Sequence, residues 1–377
     1  MNLIFVKLFR LEKTARHLKF LFRKSQPITL STHLKMKLTT SARKMALQKP
    51  RVFIAVEHIN WEKAGLIDSW KDVAECENWD WGNTYDQHSN DWLTVQKRRF
   101  NDELLTRITK SNKKKSITHF FSYLSGRWLY PQTIEKINSL GIITINFSFD
   151  DPHRFWGTKK GGVWTGAASI ASKYDLNITC GDPNDEIKYS FVGARSLYIP
   201  PGGNYERFKF SASKKKHYVT FIGQKYGDRE NFISFLTSNG ISVTTYGHGW
   251  VNGPVNHNEM LSIYYSSKLI IGFGYAGNNT SKTVLKGRDF EIPLTGIPYL
   301  TSYNEELANH FKEGEEMLFF RTKEEALQII RNYENKDDEL STIGENGKLR
   351  ALSDHQWQQR WLKVLNYINL ELKRSLN

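Results

Sequence analysis

The chain alternates short apolar runs with helical segments twice over, and this alternation constrains its fold most. Residues 51–56 (RVFIAV) predict a buried first strand. Farther along, SITHFFSYL predicts a strand, PQTIEKINSLG a helix that begins at Pro131, and IITINFSF a second strand. A strand, a helix and a strand joined by short connections form a βαβ unit, which requires a parallel sheet.

A second series of the same kind begins near residue 217. It predicts strands at HYVTFIG, ISVTTYG and LIIGFG, with helices at ENFISFLTSNG and NEMLSIYYSSK between them. The Pro/Gly cluster SLYIPPGGN precedes it and marks a boundary near 200–205. We therefore predict an α/β protein with two Rossmann-like domains, and we look for ligand contacts in the loops after each strand.

The predicted organisation has five parts. These are a basic leader (1–49), a first Rossmann-like domain (50–204), a linker (205–216), a second Rossmann-like domain (217–354) and an amphipathic C-terminal helix (355–377).

The positive charge is concentrated in the leader. The chain has 53 Lys and Arg against 39 Asp and Glu, a net charge of +14. Residues 1–50 hold 12 of these basic residues and a single acid, Glu12. The rest is nearly balanced, whereas a nucleic-acid-binding domain needs a basic face. We therefore expect no nucleic-acid partner.

The leader has three interpretations. Residues 1–24 could form a basic amphipathic helix on an anionic membrane surface. The segment could also be a transit-type leader, or the chain could begin at Met36 or Met45. The two cysteines, Cys76 and Cys180, indicate a reducing compartment. We expect a cytoplasmic protein, which the first interpretation would place at the inner face of a membrane.

Two loops of the second domain carry candidate ligand contacts. Gly223 follows a predicted strand and would let the backbone approach a phosphate, and Arg229 opens the next helix. Gly247 and Gly249 permit a similar approach, and Trp250 could stack on a base. The alternatives are an ordinary turn between strand and helix for the first loop and a core position for Trp250.

The segment 281–307 is the densest signal. Lys286 and Arg288 could neutralise a pyrophosphate, and Glu291 could accept two hydrogen bonds from ribose hydroxyls. Alternatively, Glu291 pairs with Arg288, three residues earlier on the same helix, or caps that helix. The chain has neither GxGxxG nor GxxxxGK[ST], which disfavours a classical dinucleotide-binding or P-loop protein.

In the first domain, candidate acids follow the predicted strands. Asp150 and Asp151 end one strand, and Glu57 and His58 end the first. Adjacent acids in an extended segment point apart, so we expect no metal site. Asp151 is the first candidate for a base or a hydroxyl anchor, with Glu57 and His58 second. Alternatively, Asp151 starts the turn before Pro152, and His58 belongs to a surface loop.

The second half of the chain resembles the CgeB-like (spore maturation) glycosyltransferases. The resemblance rests on KGRDFEIPLTGIPYLTSYNEELANHFKEGEEMLFFRTKEEALQII and IGENGKLRALSDHQWQQRWLKVL, and covers about residues 215–365. It implies the GT-B fold, a metal-independent sugar transfer from a nucleotide-sugar co-substrate without a cofactor, and a C-terminal helix that crosses back to the first domain. The acceptor would bind in the first domain and the donor in the second.

The resemblance also assigns roles. Glu291 matches the second Glu of the E-x7-E motif of related retaining enzymes, where it holds the ribose. The first Glu of that motif falls at Thr283, so retention or inversion stays open. Lys286 and Arg288 would bind the diphosphate, with help from Gly223 and Arg229.

The expected enzyme is a hexosyltransferase acting on a cell-surface glycan, a lipid-linked acceptor or a protein. The alternatives are another GT-B activity, such as a nucleotide-sugar epimerase, and a module that binds a nucleotide sugar without catalysis.

Overall fold

The computed structural model describes residues 50–58, 62–160, 162–211, 213–276 and 279–374. The predicted leader (1–49) and its membrane-surface segment (1–24) lie outside the described residues.

The first sheet is fully parallel, and its strand order is β2-β1-β3-β4-β7-β8. Its strands are β1 (Arg51–Ala55), β2 (Glu75–Asn78), β3 (His119–Ser122), β4 (Ile143–Ser148), β7 (Leu176–Thr179) and β8 (Ser196–Tyr198). A small hairpin, β5 (Lys159–Lys160) and β6 (Val163–Trp164), follows β4.

The second sheet is also fully parallel, with the order β10-β9-β11-β14-β15. Its strands are β9 (His217–Ile222), β10 (Val243–Tyr246), β11 (Ser267–Ile271), β14 (Tyr299–Ser302) and β15 (Leu318–Phe320). An antiparallel pair, β12 (Tyr275–Ala276) and β13 (Asn279–Thr283), extends from the end of β11.

Helices cover the sheets. The α-helices are α1 (Lys97–Lys114), α2 (Pro131–Ser139), α3 (Asp151–Arg154), α4 (Glu186–Phe191), α5 (Tyr205–Phe208), α6 (Arg229–Ser238), α7 (His257–Tyr265), α8 (Arg288–Glu291), α9 (Glu305–Ala308), α10 (Lys323–Asn332), α11 (Asp337–Asp354) and α12 (Trp357–Arg374). Two π-helical segments span Glu62–Asp68 and Trp92–Gln96, and short 3₁₀ turns span Ala167–Ser169, Ala171–Lys173, Pro183–Asp185 and Pro293–Thr295. Within the described residues, no helix has the length and apolarity needed to span a bilayer.

The two predicted Rossmann-like sheets are confirmed, but the first contains strands that the sequence did not predict. Strand β2 (ECEN) lies at the sheet edge with its side chains partly or fully exposed, so it pairs with β1 without an apolar run. Strands β7 and β8 have only four and three residues and follow the irregular segments that hid them.

The predicted crossing of the C-terminal helix is also confirmed, because α12 packs on the first sheet. Trp361 is fully buried and stacks on Trp70 at 4.8 Å and on Trp357 at 5.2 Å between ring centroids. Its indole N–H donates to Ser69 Oγ at 2.6 Å. Val364, Leu365 and Ile368 continue the contact with the strand residues of the same core. The last helix of the chain therefore belongs to the core of the first domain.

The two chain crossings between the sheets are bonded to each other. Gly203 N–H donates to the His355 carbonyl at 2.9 Å, and Trp357 N–H donates to the Gly203 carbonyl at 3.0 Å. Arg360 is buried and donates to the carbonyls of Pro200 at 3.1 Å and Pro201 at 3.2 Å. The crossings thus form one narrow connection, held by backbone hydrogen bonds and one guanidinium.

Replacing Trp361 should test this packing. We expect Trp361→Ala to lower the free energy of unfolding by about 3–5 kcal/mol, because it removes a fully buried ring and its indole hydrogen bond to Ser69 Oγ. Urea denaturation followed by fluorescence measures the change. The control is Leu362→Ala at the neighbouring position, whose side chain is 45% exposed and should cost under about 1 kcal/mol. Equal losses in both variants would contradict the packing.

Candidate active site

The strand orders locate the site before any side chain is considered. In both sheets the order reverses beside the first strand, between β1 and β3 and between β9 and β11. Ligands of open parallel sheets bind outside the carboxyl ends of the strands at this reversal. The loops after β1, β3 and β9, together with the segment around α8, therefore form two facing walls.

The loop after β9 is held against the loop after β10. Gly223 N–H donates to the Tyr246 carbonyl at 2.9 Å, and Trp250 Nε1 donates to the Gly223 carbonyl at 2.9 Å. Gly247 has φ +125°, and a Cβ there would overlap the Gly223 carbonyl. Trp250 also packs on Phe221. The structure thus uses this tryptophan to fix the Gly223 loop.

Lys225 lies between the second glycine and the indole. Its ammonium is 5.4 Å from the centroid of the Trp250 ring and 2.7 Å from Glu230 Oε1. A Cβ at Gly249, where φ is +88°, would approach the Lys225 Cβ to 2.9 Å. Gly249 therefore makes room for a lysine side chain of the same loop.

Arg229 opens α6, as the sequence predicts, but its side chain turns into the protein. Arg229 is 2% exposed, and its guanidinium donates to the Gln224 carbonyl at 2.8 Å and to Tyr226 Oη at 3.0 Å. The ring of Tyr226 stacks on it at 3.9 Å. Burial and the charge of Arg288 lower the pKa of Arg229 to about 10. Arg229 braces the loop from beneath and adds positive charge to it.

Arg288 and Lys286 stand at the same edge. Arg288 donates to the Ile222 carbonyl at 3.3 Å, and its Nη1 lies 3.1 Å from where a Cβ of Gly223 would be. Burial lowers the pKa of Lys286, the charges of Asp289 and Asp150 oppose this, and those of Arg288 and Arg229 lower it further. The three cations are therefore close enough to repel one another.

Asp289, which sequence reasoning missed, holds this segment in place. It is buried, and its carboxylate accepts from Lys286 N–H at 2.7 Å and Tyr299 Oη at 2.9 Å. Burial raises its pKa to about 6. Its two oxygens are occupied by the backbone and by a phenol, so it fixes the turn without pairing with a cationic side chain.

The charge of Asp289 acts on Lys286 and Arg288, but the cations of this wall form no ion pair among the described residues. In the part of the chain that the structure describes, no carboxylate oxygen lies within 4.0 Å of a side-chain nitrogen of Lys286, Arg288 or Arg229. Buried or half-buried cations usually pair with an acid, because desolvation otherwise costs stability. Clustered, unpaired cations beside a glycine loop are suited to a multiply charged anion such as a diphosphate.

Glu291 lies at the end of α8 and accepts no hydrogen bond from any described residue. Burial raises its pKa to about 7, against the lowering effect of Arg288 and Arg207. It shares a short helix with Arg288, but the two side chains do not form an ion pair. Its carboxylate oxygens are available to hydroxyl donors of a ligand.

On the opposite wall, Asp151 is enclosed. It begins α3, so the segment is helical and not extended as predicted. It is 1% exposed and accepts from Ser148 Oγ at 2.6 Å and Tyr189 Oη at 2.8 Å. Burial is the largest cause of its raised pKa. Asp151 is a buried anchor beneath the rim.

His58 is tied to the strand beside it. Its Nδ1 lies 3.0 Å from Asp80 Oδ2, and its Nε2 lies 3.3 Å from Asn78 Nδ2. Both ring nitrogens therefore have partners within the first domain. Glu57, the preceding residue, is half-buried, and burial raises its pKa.

Glu62, which the sequence analysis did not single out, joins this wall. It begins the π-helical segment Glu62–Asp68, and its Oε2 is buried without a hydrogen-bond partner. Burial raises its pKa to about 7, as do the like charges of Glu57, Glu291 and Asp150. The acidic wall of the first domain therefore consists of Glu57, Glu62 and Asp150, and it faces the cationic wall of the second.

A polar cavity of 340 Å³ opens between the two domains beside these walls. It is lined by Gly181 and Asp182 of the first domain and by Thr283, Asn304 and Glu305 of the second, among others. Thr283 Oγ1 donates to the Tyr303 carbonyl at 3.1 Å and accepts from Asn304 Nδ2 at 3.1 Å. Across the described residues, no three His, Cys, Asp or Glu side chains are placed to share a metal ion.

Comparisons with known proteins agree with this geometry. Residues 229–366 match the model of a family described as glycosyl transferase-like. This segment begins at Arg229 and includes Lys286, Arg288 and Glu291. No curated protein sequence matches the chain.

Solved structures match nearly the whole chain. A glycosyltransferase from Rickettsia africae has a TM-score of 0.59 at 9% identity, over 86% of this chain and 99% of that one. HepE from Anabaena, in complex with UDP, has a TM-score of 0.57 at 10% identity, over 85% and 99%. Sucrose-phosphate synthase from Thermosynechococcus elongatus has 0.53 at 10% identity, over 86% and 100%. The chain has the GT-B fold.

The contact between the two glycine loops can be tested by a matched pair of substitutions. Gly247 and Gly253 both have positive φ, but a Cβ at Gly253 would meet open space. Each alanine should cost about 1–2 kcal/mol for the left-handed backbone. Gly247→Ala should cost about 1–3 kcal/mol more, because its Cβ overlaps the Gly223 carbonyl. Chemical denaturation measures both, and equal losses would show that the loops do not touch.

Proposed function

We propose that this protein is a glycosyltransferase that moves a hexose from a nucleotide-sugar donor to a hydroxyl-bearing acceptor. The observation that carries the proposal is the set of unpaired cations, Lys286, Arg288 and Arg229, beside the unpartnered carboxylate of Glu291. A nucleoside diphosphate supplies a partner to each group, with its phosphates facing the cations and its ribose hydroxyls facing Glu291.

The same groups would act on the reaction itself. When the bond between the sugar and the diphosphate breaks, negative charge grows on the leaving phosphate. Lys286 and Arg288 are fixed beforehand, Lys286 by the Asp289 contact to its backbone and Arg288 by the Ile222 carbonyl. Preorganised positive charge of this kind stabilises a leaving anion without any rearrangement during the reaction.

The binding place of the sugar and the class of acceptor are proposed from the lining of the cavity and from the family resemblance. The polar cavity beside Thr283 offers hydroxyl, amide and carboxylate groups to a sugar. The CgeB-like resemblance favours a glycan, a lipid-linked saccharide or a protein as acceptor, bound by the first domain. The basic segment 1–24 favours an acceptor at a membrane surface, and we propose a cytoplasmic location at that surface.

The donor can be identified by thermal stabilisation. We expect one series among UDP, GDP, CDP, ADP and their common sugars to raise the melting temperature of the purified full-length protein. A ligand at 100 times its dissociation constant stabilises the fold by about 2.7 kcal/mol. UDP is the first candidate, since HepE was solved with it. No shift with any nucleotide would contradict the donor site.

Two variants assign that binding to the cationic wall. We expect Lys286→Met and Glu291→Gln each to weaken nucleotide binding by about 10- to 100-fold, because each removes charge-assisted hydrogen bonds worth about 1.5–3 kcal/mol. Titration calorimetry measures the affinities. The controls are Lys216→Met in the linker and Glu324→Gln in the second domain, which replace exposed side chains and should bind as the wild type does.

Analysis of the products formed from the nucleotide sugar distinguishes transfer from binding without catalysis. A transferase releases free nucleoside diphosphate from the bound nucleotide sugar when an acceptor or water attacks. An epimerase would return an altered sugar still attached to the nucleotide, and a binding module would leave the donor intact.

A further inference from the structure

We infer that Glu62 is the catalytic base of the first domain, the group that takes the proton from the acceptor hydroxyl during transfer. The inference rests on the proposed glycosyltransferase function and adds the residue that activates the acceptor. It rests on three observations. Glu62 lies in the cleft, one of its carboxylate oxygens is buried without a hydrogen-bond partner, and the neighbouring candidates Asp151 and His58 already have partners.

The position of Glu62 is fixed by its helix. Leu66, Ile67 and Trp70 of the same segment are buried in the core that holds α12. Asn204, which follows the crossing between the domains, donates from Nδ2 to the Ala64 carbonyl at 3.2 Å. The helix that carries Glu62 is thus anchored in the first domain and bonded to the connection on which the cleft would close. Departures from α-helical geometry like this one are frequent at functional sites.

Groups from four described parts of the chain interact with Glu62. Glu57 follows β1, Tyr123 follows β3, Asp150 follows β4, and Glu291 belongs to the second domain. The three carboxylates are like charges, and they favour the protonated form of Glu62. Its interaction with Glu291 places it within electrostatic reach of the group proposed to hold the donor ribose.

The other candidates on this wall have their atoms in use. Asp151 accepts from Ser148 and Tyr189, and His58 has partners on both ring nitrogens. Glu57 carries no such bond, but it interacts with His88 of its own domain and not with Glu291. Among these four candidates, all within the described residues, Glu62 is the one that combines a buried, unpartnered oxygen with an interaction across the cleft.

The step is balanced as written. The acceptor oxygen forms a bond to the anomeric carbon of the sugar, and the bond from that carbon to the phosphate oxygen breaks. The diphosphate leaves with the bonding electrons toward Lys286 and Arg288. The hydroxyl proton passes to Glu62 Oε2 and from there to solvent. Water can replace the acceptor, in which case the products are the free sugar and the nucleoside diphosphate.

The experiment measures release of nucleoside diphosphate from the nucleotide sugar that gives the largest thermal shift, with water as acceptor. The pKa of Glu62 near 7 lies above that of an ordinary glutamate, so the basic form dominates only above about pH 7. The wild-type kcat should therefore rise through pH 7. Glu62→Gln should lower kcat by about 10²- to 10⁴-fold, as expected for loss of a general base, and remove this rise.

Controls separate this role from binding and from folding. Glu135→Gln, which replaces an exposed glutamate of α2 in the same domain, should keep the pH profile, and Glu62→Asp should recover part of kcat and the rise. The KM and the thermal shift by nucleotide should change little in Glu62→Gln. Because the raised pKa means that ionised Glu62 destabilises the fold above about pH 7, Glu62→Gln should melt at or above the wild-type temperature at pH 8.

A second measurement needs no turnover. The negative diphosphate should raise the pKa of Glu62 further, so the wild type should take up protons when it binds nucleotide at pH 7 to 7.5. Calorimetry in buffers of different ionisation enthalpy counts these protons. The uptake should fall in Glu62→Gln and persist in Glu135→Gln.

The outcomes are distinct. An unchanged kcat profile or unchanged proton uptake in Glu62→Gln overturns the role of Glu62 while the donor site stands. Loss of nucleotide binding in that variant makes Glu62 a binding residue and also overturns its role as a base. Absence of nucleotide binding in the wild type overturns the proposed function and, with it, the inference.

Discussion

The stacking of Trp361 between Trp70 and Trp357 is the contact on which the rest of the molecule depends. It makes the last helix part of the first domain, so the chain crosses between the sheets twice. The two crossings are then bonded to each other, and Arg360 clamps them. Outside these crossings, Leu285 N–H of the second domain donates to the Gly181 carbonyl of the first at 3.2 Å, so any change in the distance between the two walls would also act on this bond.

The walls carry opposite charge. Burial is the main cause of the lowered pKa of Lys286, and the charges of Arg288 and Arg229 add to it. Burial is likewise the main cause of the raised pKa of Glu62, and the charges of Glu57, Asp150 and Glu291 add to it. Unpaired, partly buried charge destabilises a fold, so a sequence selected for stability alone would pair or remove it. Its presence on both sides of one cleft is the pattern expected where the missing partner is a ligand.

The sequence predicts the architecture well, because the central strands β1, β4, β9 and β11 are rich in apolar, β-branched and aromatic residues and lie between turn signals. It fails for β2, whose place at the edge needs only backbone pairing. The site is predicted in part. Lys286, Arg288 and Glu291 lie within six residues of one another, so the sequence itself shows that they are close. Asp151 is bonded to Tyr189, and His58 is paired with Asp80. These partners are distant in the sequence, so no local pattern predicts the contacts.

Glu62 shows most clearly what a sequence conceals. It lies in no motif, and its environment comes from three different strand ends and from α8 of the other domain. Thr283 gives the reciprocal case, since its hydroxyl is bonded to Tyr303 and Asn304 and offers no carboxylate to a sugar. In the proposed function the second domain supplies the cations and the ribose contact, and the first domain supplies the base. Glu62 and Glu291 interact across the cleft, so the two contributions meet at one place.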